Sequence, residues 1–244
     1  MRKQAVHRDS LAVRRDGVAQ IALVGPPNAG KSSLLQALSS IQIKTGDYAF
    51  TTTRPVPSVT YIHDCRVQLV EIPGLIEGAA HDRGGGKALL GVLRGADAIV
   101  HCHAANTPLS ELATVRAELE EAGIGKRTLI AVTKLDEADE SRVEEIAHTA
   151  GLPAIGVSVL DDESLNRLRA RLWELTGLIR IWLRGEAQAL APGATVVDAA
   201  RTVHQELAES CTGARVTGPS AKFDAQRVGR GHVLADDDVV EILS

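Results

Sequence analysis

The sequence predicts an α/β protein in which an open, mostly parallel sheet with helices on its faces is followed by a small α+β unit. Between residues 17 and about 160, short aliphatic runs alternate with amphipathic stretches. Continuous aliphatic runs are typical of strands buried on both faces, and repeated strand and helix units with right-handed crossovers give a parallel sheet. After Gly177 the alternation stops. We therefore expect a second unit over residues 178–244.

Each predicted element follows from its residue pattern. Runs rich in Val, Ile, Leu and Ala predict strands over residues 21–24, 65–72, 98–102, 128–132 and 154–157. Apolar residues at helical spacing predict helices over residues 31–39, 87–94, 109–122, 141–149 and 164–175. In the second unit the same criteria predict strands 178–183, 214–217 and 239–243 and a helix 196–208.

The composition narrows the class of protein. The 244 residues are 44% hydrophobic and 24% charged, which excludes disordered, collagen-like and coiled-coil proteins. Aromatic residues make up only 2%, which argues against stacking on single-stranded nucleic acid. The net charge of -4 provides no field for attracting DNA, so no DNA partner is expected. No apolar stretch approaches the ~18 residues that span a bilayer, and no signal peptide is evident, so we expect a cytoplasmic protein without a membrane partner.

Residues 1–16 are predicted to form a basic tail. Its basic residues are Arg2, Lys3, Arg8, Arg14 and Arg15. A solvated leader without a partner is the favoured interpretation, and contact with nucleic acid or a ribosome is the alternative.

A phosphate-binding motif follows the first predicted strand. Residues 25–32 read GPPNAGKS and fit GxxxxGK[ST], directly before the first predicted helix. In this pattern backbone N–H groups surround the phosphate oxygens, Lys31 reaches the β and γ phosphates, and the Ser32 hydroxyl binds Mg²⁺. A simple turn needs neither the lysine nor the serine. The predicted binding residues are Gly25, Asn28, Ala29, Gly30, Lys31, Ser32 and Ser33.

A second motif predicts the choice of base. Residues 133–136 read TKLD and resemble the [NT]KxD element of guanine-nucleotide proteins. The Asp136 carboxylate can accept from both N1–H and N2–H of guanine, a donor pair that adenine lacks. Both motifs follow predicted parallel strands, so they share one edge of the sheet. Thr133 and Lys134 belong to the same loop, and Ser158 with Val159 resembles the loop that supports the base.

Further motifs resemble the Obg family of GTPases, most closely its developmentally regulated GTP-binding (DRG) branch. Residues 71–79 read EIPGLIEGA and are similar to the family's switch II, DxPGLIEGA. Residues 47–55 read DYAFTTTRP and are similar to its switch I, DYxFTTxxP, and residues 84–86 fit its glycine-rich continuation. Residues 178–244 resemble a TGS domain.

The resemblance implies a fold and a set of partners. It implies a P-loop G domain over residues 17–177 and a β-grasp, TGS-like domain over residues 178–244. It also implies GTP or GDP as the ligand, Mg²⁺ as the cofactor, and work connected with ribosomes or translation. Because the TGS-like unit carries no catalytic cluster, we expect it to bind a ribosome or RNA. Its candidate basic groups are Arg215, Lys222, Arg227 and Arg230, and a protein-facing surface is the alternative.

The resemblance also assigns roles within the site. Thr52, or Thr53 in the alternative register, is implied to contact Mg²⁺ and the γ phosphate, and Gly74 N–H to contact the γ phosphate. Lys31 is implied to stabilise the transition state. Asn28 is implied to hold K⁺ beside the phosphates; the alternative is that it only satisfies its own loop.

Two positions depart from the family pattern. Glu71 stands where the family has the aspartate that holds Mg²⁺ through a water, and its extra methylene leaves open how it meets the metal. Leu75 stands where Ras-like GTPases have a water-orienting glutamine, so we expect slow hydrolysis. The alternatives are a non-hydrolysing GTP-binding adaptor for RNA or ribosome and, third, an ATPase. His101 and His103 lie on a predicted strand without a third ligand nearby, so they are expected to be core histidines.

Overall fold

A computed structural model of the chain describes residues 13–40, 54–73 and 86–244, with side chains from residue 89 onwards in the last range. In the first part of the chain the strands are β1 Ala19–Val24, β2 Val56–Ile62, β3 Cys65–Glu71, β4 Ala98–Ala104, β5 Arg127–Thr133 and β6 Ala154–Gly156. The helices are α1 Lys31–Leu38, α2 Gly86–Gly95, α3 Ser110–Glu121, α4 Ser141–Ala150 and α5 Asp162–Thr176.

The strands of the first part form one sheet. Among the described residues its order is β2-β3-β1-β4-β5-β6. β1 pairs in parallel with both β3 and β4, and the parallel pairing continues through β5 to β6. The pairing aligns Leu23 with Glu71 and Ala104 with Thr133. The carboxyl ends of β1, β3, β4 and β5 therefore lie at one edge of the sheet, where open α/β sheets bind ligands.

The aliphatic runs form buried strands, as their composition predicts. Every residue of β1 and of β4 is buried, so both faces of these central strands are covered. One apolar cluster packs Val24 and Ile72 of the sheet edge against Leu93 of α2 and Val115 of α3. This core places the loops that follow the strands on a rigid base.

Residues 13–16, within the predicted tail, are anchored to the sheet. Val13 packs against the apolar cluster around α2 and α3. The Gln68 side chain donates to the Arg14 carbonyl at 3.0 Å and accepts from the Asp16 N–H at 3.3 Å. Arg15 forms an ion pair with Asp97, which also accepts from the Gln20 N–H. These four residues thus extend the packed unit.

The last part of the chain forms a second sheet with β-grasp topology. Its elements are β7 Ile179–Leu183, β8 Glu186–Leu190, α6 Val196–Val203, α7 Gln205–Ser210, β9 Gly213–Thr217, β10 Gln226–Gly229 and β11 Asp238–Leu243. The strand order is β10-β9-β11-β7-β8, with β7 and β11 parallel and the other pairs antiparallel. Ile181, Val216 and Val240 pack against Val196 and Ala200 of α6. The predicted fold class, an α/β G domain followed by a β-grasp unit, is confirmed.

Four elements differ from the sequence prediction, and one of them is β10, an unpredicted strand that pairs with β9. β2 was not predicted, and it is joined to β3 by His63 and Asp64, whose φ angles of 50° and 61° suit a two-residue hairpin turn. β8 was not predicted either, because Glu, Ala and Gln are poor strand formers, but it pairs with β7 along its whole length. The helix predicted over 196–208 breaks at His204, which is extended and whose side chain accepts from the Glu206 N–H.

The chain divides into two compact units by its internal contacts. One contains residues up to Thr60 with Val67–Arg169, and the other contains Tyr61–Arg66 with Ala170–Ser244. The domain boundary between residues 177 and 178 stays a prediction. Among the described helices, none has the length and apolar character needed to cross a membrane.

A buried carboxylate organises the loops of the second unit. Asp238 is 0% exposed and accepts from the N–H and hydroxyl of Ser220 at 3.1 and 2.6 Å and from the Ala235 N–H at 2.7 Å. Since the Ser220 proton goes to Asp238, the His232 Nε2–H, 2.9 Å away, donates to the Ser220 oxygen. This arrangement differs from a nucleophilic triad, in which the histidine lies between serine and aspartate.

We expect Asp238→Ala to destabilise the second unit by about 3 kcal/mol, because three partly buried donors lose a fully buried acceptor together. The matched control is Asp224→Ala, an exposed aspartate of the same unit, which should change stability by less than about 0.5 kcal/mol. Urea unfolding followed by tryptophan fluorescence measures this, since Trp173 and Trp182 both lie in the compact unit formed by Tyr61–Arg66 with Ala170–Ser244. Equal stability of the two variants would contradict the structural role of Asp238.

Candidate functional site

The phosphate-binding motif forms the turn between β1 and α1. Gly25 has a φ of 147°, and a Cβ there would lie 2.3 Å from the carbonyl oxygen of Cys102 on β4. Gly30 precedes α1 with a φ of 76°, and a Cβ there would lie 3.1 Å from the Thr133 hydroxyl. Both conformations favour glycine, and both glycines touch neighbouring strands. The loop is therefore packed closely onto the sheet edge.

Lys31 folds back over this loop. Its Nζ donates to the carbonyl oxygens of Gly25 at 2.9 Å and Pro26 at 2.7 Å, and the residue is only 6% exposed. Burial lowers the pKa of Lys31, while the negative charge of Glu71 acts in the opposite direction. Two of the three ammonium donors are thus used by the loop. The third can reach an anionic ligand held by the same loop.

Ser32 and Glu71, which were both predicted to hold Mg²⁺, meet at the sheet edge. The Ser32 hydroxyl donates to Oε1 of Glu71 at 2.6 Å. Glu71 ends β3 and is 5% exposed, while Ser32 lies in the first turn of α1. A hydroxyl and a carboxylate oxygen are hard ligands that suit Mg²⁺, which takes its remaining ligands from phosphates and water. Within the described ranges, no group of three or more His, Cys, Asp or Glu side chains is placed to hold a metal ion.

Thr133 ties the base-side loop to the phosphate loop. Its buried hydroxyl lies 3.0 Å from the Ala29 carbonyl oxygen and 3.4 Å from that of His103. The sequence motif suggested a contact with the nucleotide. In the structure this hydroxyl contacts the protein backbone, so Thr133 positions the loop that carries Gly30 and Lys31.

Lys134 and Asp136 lie just beyond the end of β5. Lys134 adopts a left-handed conformation with a φ of 55° and begins a short 3-10 helix over Leu135–Glu137. Asp136 lies in that helix with its side chain exposed. The Leu135 N–H lies 3.4 Å from the Val157 carbonyl oxygen, which brings the TKLD segment beside the loop after β6. The two predicted base-binding segments are therefore adjacent.

Sequence reasoning missed Ser164, which holds the loop of Ser158 and Val159. The Ser164 Oγ accepts from the Ser158 N–H at 3.1 Å and lies 3.0 Å from the Ser158 carbonyl oxygen. Asp161 accepts from the Ser164 N–H at 3.2 Å, as at a helix N-terminus. The sequence signal that could have identified Ser164 is its spacing, three residues after Asp161 at the start of α5. Val159 is left exposed beside this loop.

Asn28 is exposed and has a φ of 64°. Asparagine tolerates this left-handed conformation better than most residues. Its geometry agrees both with a residue that shapes the loop and with one that offers its side-chain oxygen to an ion. Ser33 is exposed in the first turn of α1. The predicted contacts of Thr52, Thr53, Gly74 and Leu75 lie outside the described residues.

His101 and His103 are core residues of β4. Both are buried, and in the described part of the chain no hydrogen-bond partner is found for either ring nitrogen of His101 or for Nδ1 of His103. Burial, reinforced by the neighbouring His103 and by Arg116 and Lys31, lowers the pKa of His101 to about 3. His101 is therefore neutral at physiological pH, and its ring packs as part of the core.

Comparisons with known proteins identify the class. Residues 20–134 match the family model described as 50S ribosome-binding GTPase, and residues 179–244 match that of the TGS domain. The G domain of the FeoB iron transporter of T. maritima superposes with a TM-score of 0.53 at 24% identity, covering 64% of this chain and 98% of that one. At this identity the likeness shows the fold alone. The fold and the site are those of a P-loop GTPase with a TGS domain.

Relatives over the whole length narrow the class to a family. An uncharacterised GTP-binding protein of Halobacterium salinarum is 31% identical, over 96% of this chain and 85% of its own length. Developmentally-regulated GTP-binding protein 2 homolog of Dictyostelium discoideum is 28% identical, over 96% of this chain and 85% of its own length. Ribosome-interacting GTPase 1 of Saccharomyces cerevisiae is 25% identical, over 95% of this chain and 84% of its own length. The chain belongs to the developmentally regulated GTP-binding (DRG) family.

The alignments also show a difference in length. That with the Halobacterium protein runs over 315 positions, more than the 244 residues of this chain. The relative therefore carries inserted residues that this chain lacks. The short spacing of 65 positions between Glu71 and Asp136 is consistent with a minimal version of the family.

Proposed function

We propose that the chain is a slow, Mg²⁺-dependent GTPase that acts as a regulatory switch connected with ribosomes or translation in the cytoplasm. One observation carries the proposal. The Ser32 hydroxyl lies 2.6 Å from the Glu71 carboxylate, next to the Lys31 ammonium group in the phosphate loop. These groups suit a nucleoside triphosphate with its metal, and Asp136, in the segment after β5, suits guanine.

Each residue has a task in the proposed reaction, an in-line attack of water on the γ phosphorus. The loop N–H groups and Lys31 bind the phosphates and stabilise the charge that builds up on their oxygens. Ser32 and Glu71 would hold Mg²⁺, which neutralises phosphate charge when it is bound. Thr133 keeps the loop in place through the Ala29 carbonyl. Thr52 and Gly74 complete the proposal as contacts of the metal and the γ phosphate.

The slow rate and the potassium ion belong to the same proposal. Leu75 offers no group to orient the attacking water, so the rate depends on charge stabilisation alone. The exposed side chain of Asn28 lies in the phosphate loop and can hold K⁺ where positive charge is useful. The non-hydrolysing adaptor and the ATPase are separated from this proposal by turnover and by base selectivity.

We expect Asp136→Asn to weaken GTP binding and to favour xanthosine triphosphate, because the amide donates where the new base offers a carbonyl. Titration of both nucleotides measures the change, which should exceed about tenfold in their affinity ratio. Glu140→Gln is the matched control, an exposed acid in the loop after β5, and should leave the ratio unchanged. Equal weakening of both nucleotides in Asp136→Asn would contradict the assignment.

We expect turnover well below the ~10 s⁻¹ typical of enzymes, and faster in K⁺ than in Na⁺. Asn28→Ala should remove the difference between the two salts, because it removes the oxygen proposed to hold K⁺. Asn166→Ala, at an exposed asparagine of α5, should keep the difference. Rates of phosphate release from GTP and from ATP in both salts provide the measurement. Equal wild-type rates in K⁺ and Na⁺ would exclude the potassium role, and no turnover would favour the adaptor.

We propose that the TGS domain provides the contact with the ribosome. The yeast relative of the chain is named for its interaction with the ribosome. Two of the four predicted basic groups already contact other groups of the protein. Arg215 pairs with Glu241 at 3.2 Å, and Arg230 lies 3.5 Å from the Ala208 carbonyl oxygen. Lys222 and Arg227 are exposed and are the stronger candidates.

Replacement of Lys222 and Arg227 together by glutamate in the full chain should weaken co-sedimentation with ribosomes by about tenfold or more, because two phosphate contacts are lost. The assay compares a GTP analogue with GDP. Arg171→Glu on α5 is the control and should bind as the wild type does. Unchanged binding of the double variant, with unchanged GTP affinity, would place the contact elsewhere on the chain.

A further inference from the structure

We infer that Glu71 binds the Mg²⁺ of the nucleotide directly, beside Ser32, with no water between its carboxylate and the ion. The inference rests on the proposed function and specifies how this chain holds its metal. In the family pattern an aspartate occupies this position and reaches the metal through a water. Here the side chain is one methylene longer, on a strand that keeps its register with β1.

The backbone at Glu71 keeps the regular strand pairing up to the end of β3. Glu71 remains in register with Leu23 of β1, and the Ile72 N–H donates to the Leu23 carbonyl at 2.9 Å. The strand is regular through this point and both of its neighbours are buried. The extra methylene, one C–C bond of about 1.5 Å, therefore extends the carboxylate towards the metal ligand Ser32.

The distance between the two oxygens suits a shared ion. Mg²⁺ binds oxygen at 2.0–2.1 Å in an octahedron, so two neighbouring ligands lie about 2.9 Å apart. Oγ of Ser32 and Oε1 of Glu71 lie 2.6 Å apart. A shift of a few tenths of an ångström converts this hydrogen bond into two adjacent ligands of one ion. An aspartate on the same backbone would fall short by about one C–C bond, a gap that a water fills.

The charges around Glu71 favour direct binding. Its carboxylate is nearly inaccessible to solvent and acts on the Lys31 ammonium group, which the Gly25 and Pro26 carbonyls hold in place. A buried anion gains more from direct contact with a cation than from contact through a water, since little solvent screens it. Glu71 thus supplies a fixed negative ligand, and the ion needs one fewer water.

The experiment counts the water ligands of the metal. Mn²⁺ replaces Mg²⁺ in the complex of the full chain with GDP, and electron paramagnetic resonance in water enriched in ¹⁷O gives the number of bound waters. Glu71→Asp is expected to carry one water more than the wild type. Glu71→Gln, whose amide oxygen reaches the same place, should keep the wild-type number but bind Mn²⁺ more weakly.

Two further variants calibrate the count. Ser32→Ala removes a ligand and should also add one water. Glu145→Asp makes the same chemical change at an exposed residue of α4 and should add none. GDP affinity measured without metal checks that each variant is folded and binds nucleotide.

The outcomes separate the inference from the function on which it rests. An equal water count in the wild type and Glu71→Asp, with normal GDP binding and the expected increase in Ser32→Ala, overturns direct binding by Glu71. Absence of GDP binding by the wild-type chain contradicts the proposed function and the inference together. An added water in Glu71→Asp, with the wild-type count kept in Glu71→Gln, supports direct binding by Glu71 that depends on the length of its side chain.

Discussion

The site depends on the parallel pairing of β1 with β3 on one side and β4 on the other. This pairing sets Leu23 opposite Glu71 and Val24 opposite His101, so β1 ends level with β3 and beside β4, which continues to Ala104. Gly25 then turns against the Cys102 carbonyl, where a Cβ would lie at 2.3 Å. Lys31, Ser32 and Glu71 meet because these strand ends are aligned. A one-residue slip of β1 would turn its side chains to the opposite faces of the sheet and separate these groups.

The sequence predicted the strands of the first sheet other than β2, and most clearly β1 and β4, which are buried on both faces. Such strands must be aliphatic throughout, so their order and approximate bounds follow from composition. The motifs at their ends were placed correctly for the same reason. Ser164 and the role of the Thr133 hydroxyl were not predicted. These depend on hydrogen bonds between residues distant in sequence, such as that from Thr133 to Ala29, which no local pattern records.

The second unit was harder to predict, and its physics explains why. β8 has the sequence EAQAL, which has low strand propensity and forms a strand through its pairing with β7. The helical pattern over 196–208 continues across His204, yet the chain there is extended and begins a new short helix. In a small unit, contacts with neighbouring strands outweigh local preference. Asp238 shows the same principle, because one buried carboxylate holds loops from two stretches of chain.

The hydrogen bond from Thr133 to the phosphate loop has a consequence for the energetics of ligand capture. It joins the end of β5, next to the segment proposed to bind the base, to the loop proposed to bind the phosphates, and a Cβ at Gly30 would lie 3.1 Å from that hydroxyl. The two segments are therefore held against each other before a ligand binds. The conformational entropy of these segments is lost when the chain folds. Less entropy is therefore lost when a ligand binds. Disorder introduced at one end of the cleft would be transmitted to the other.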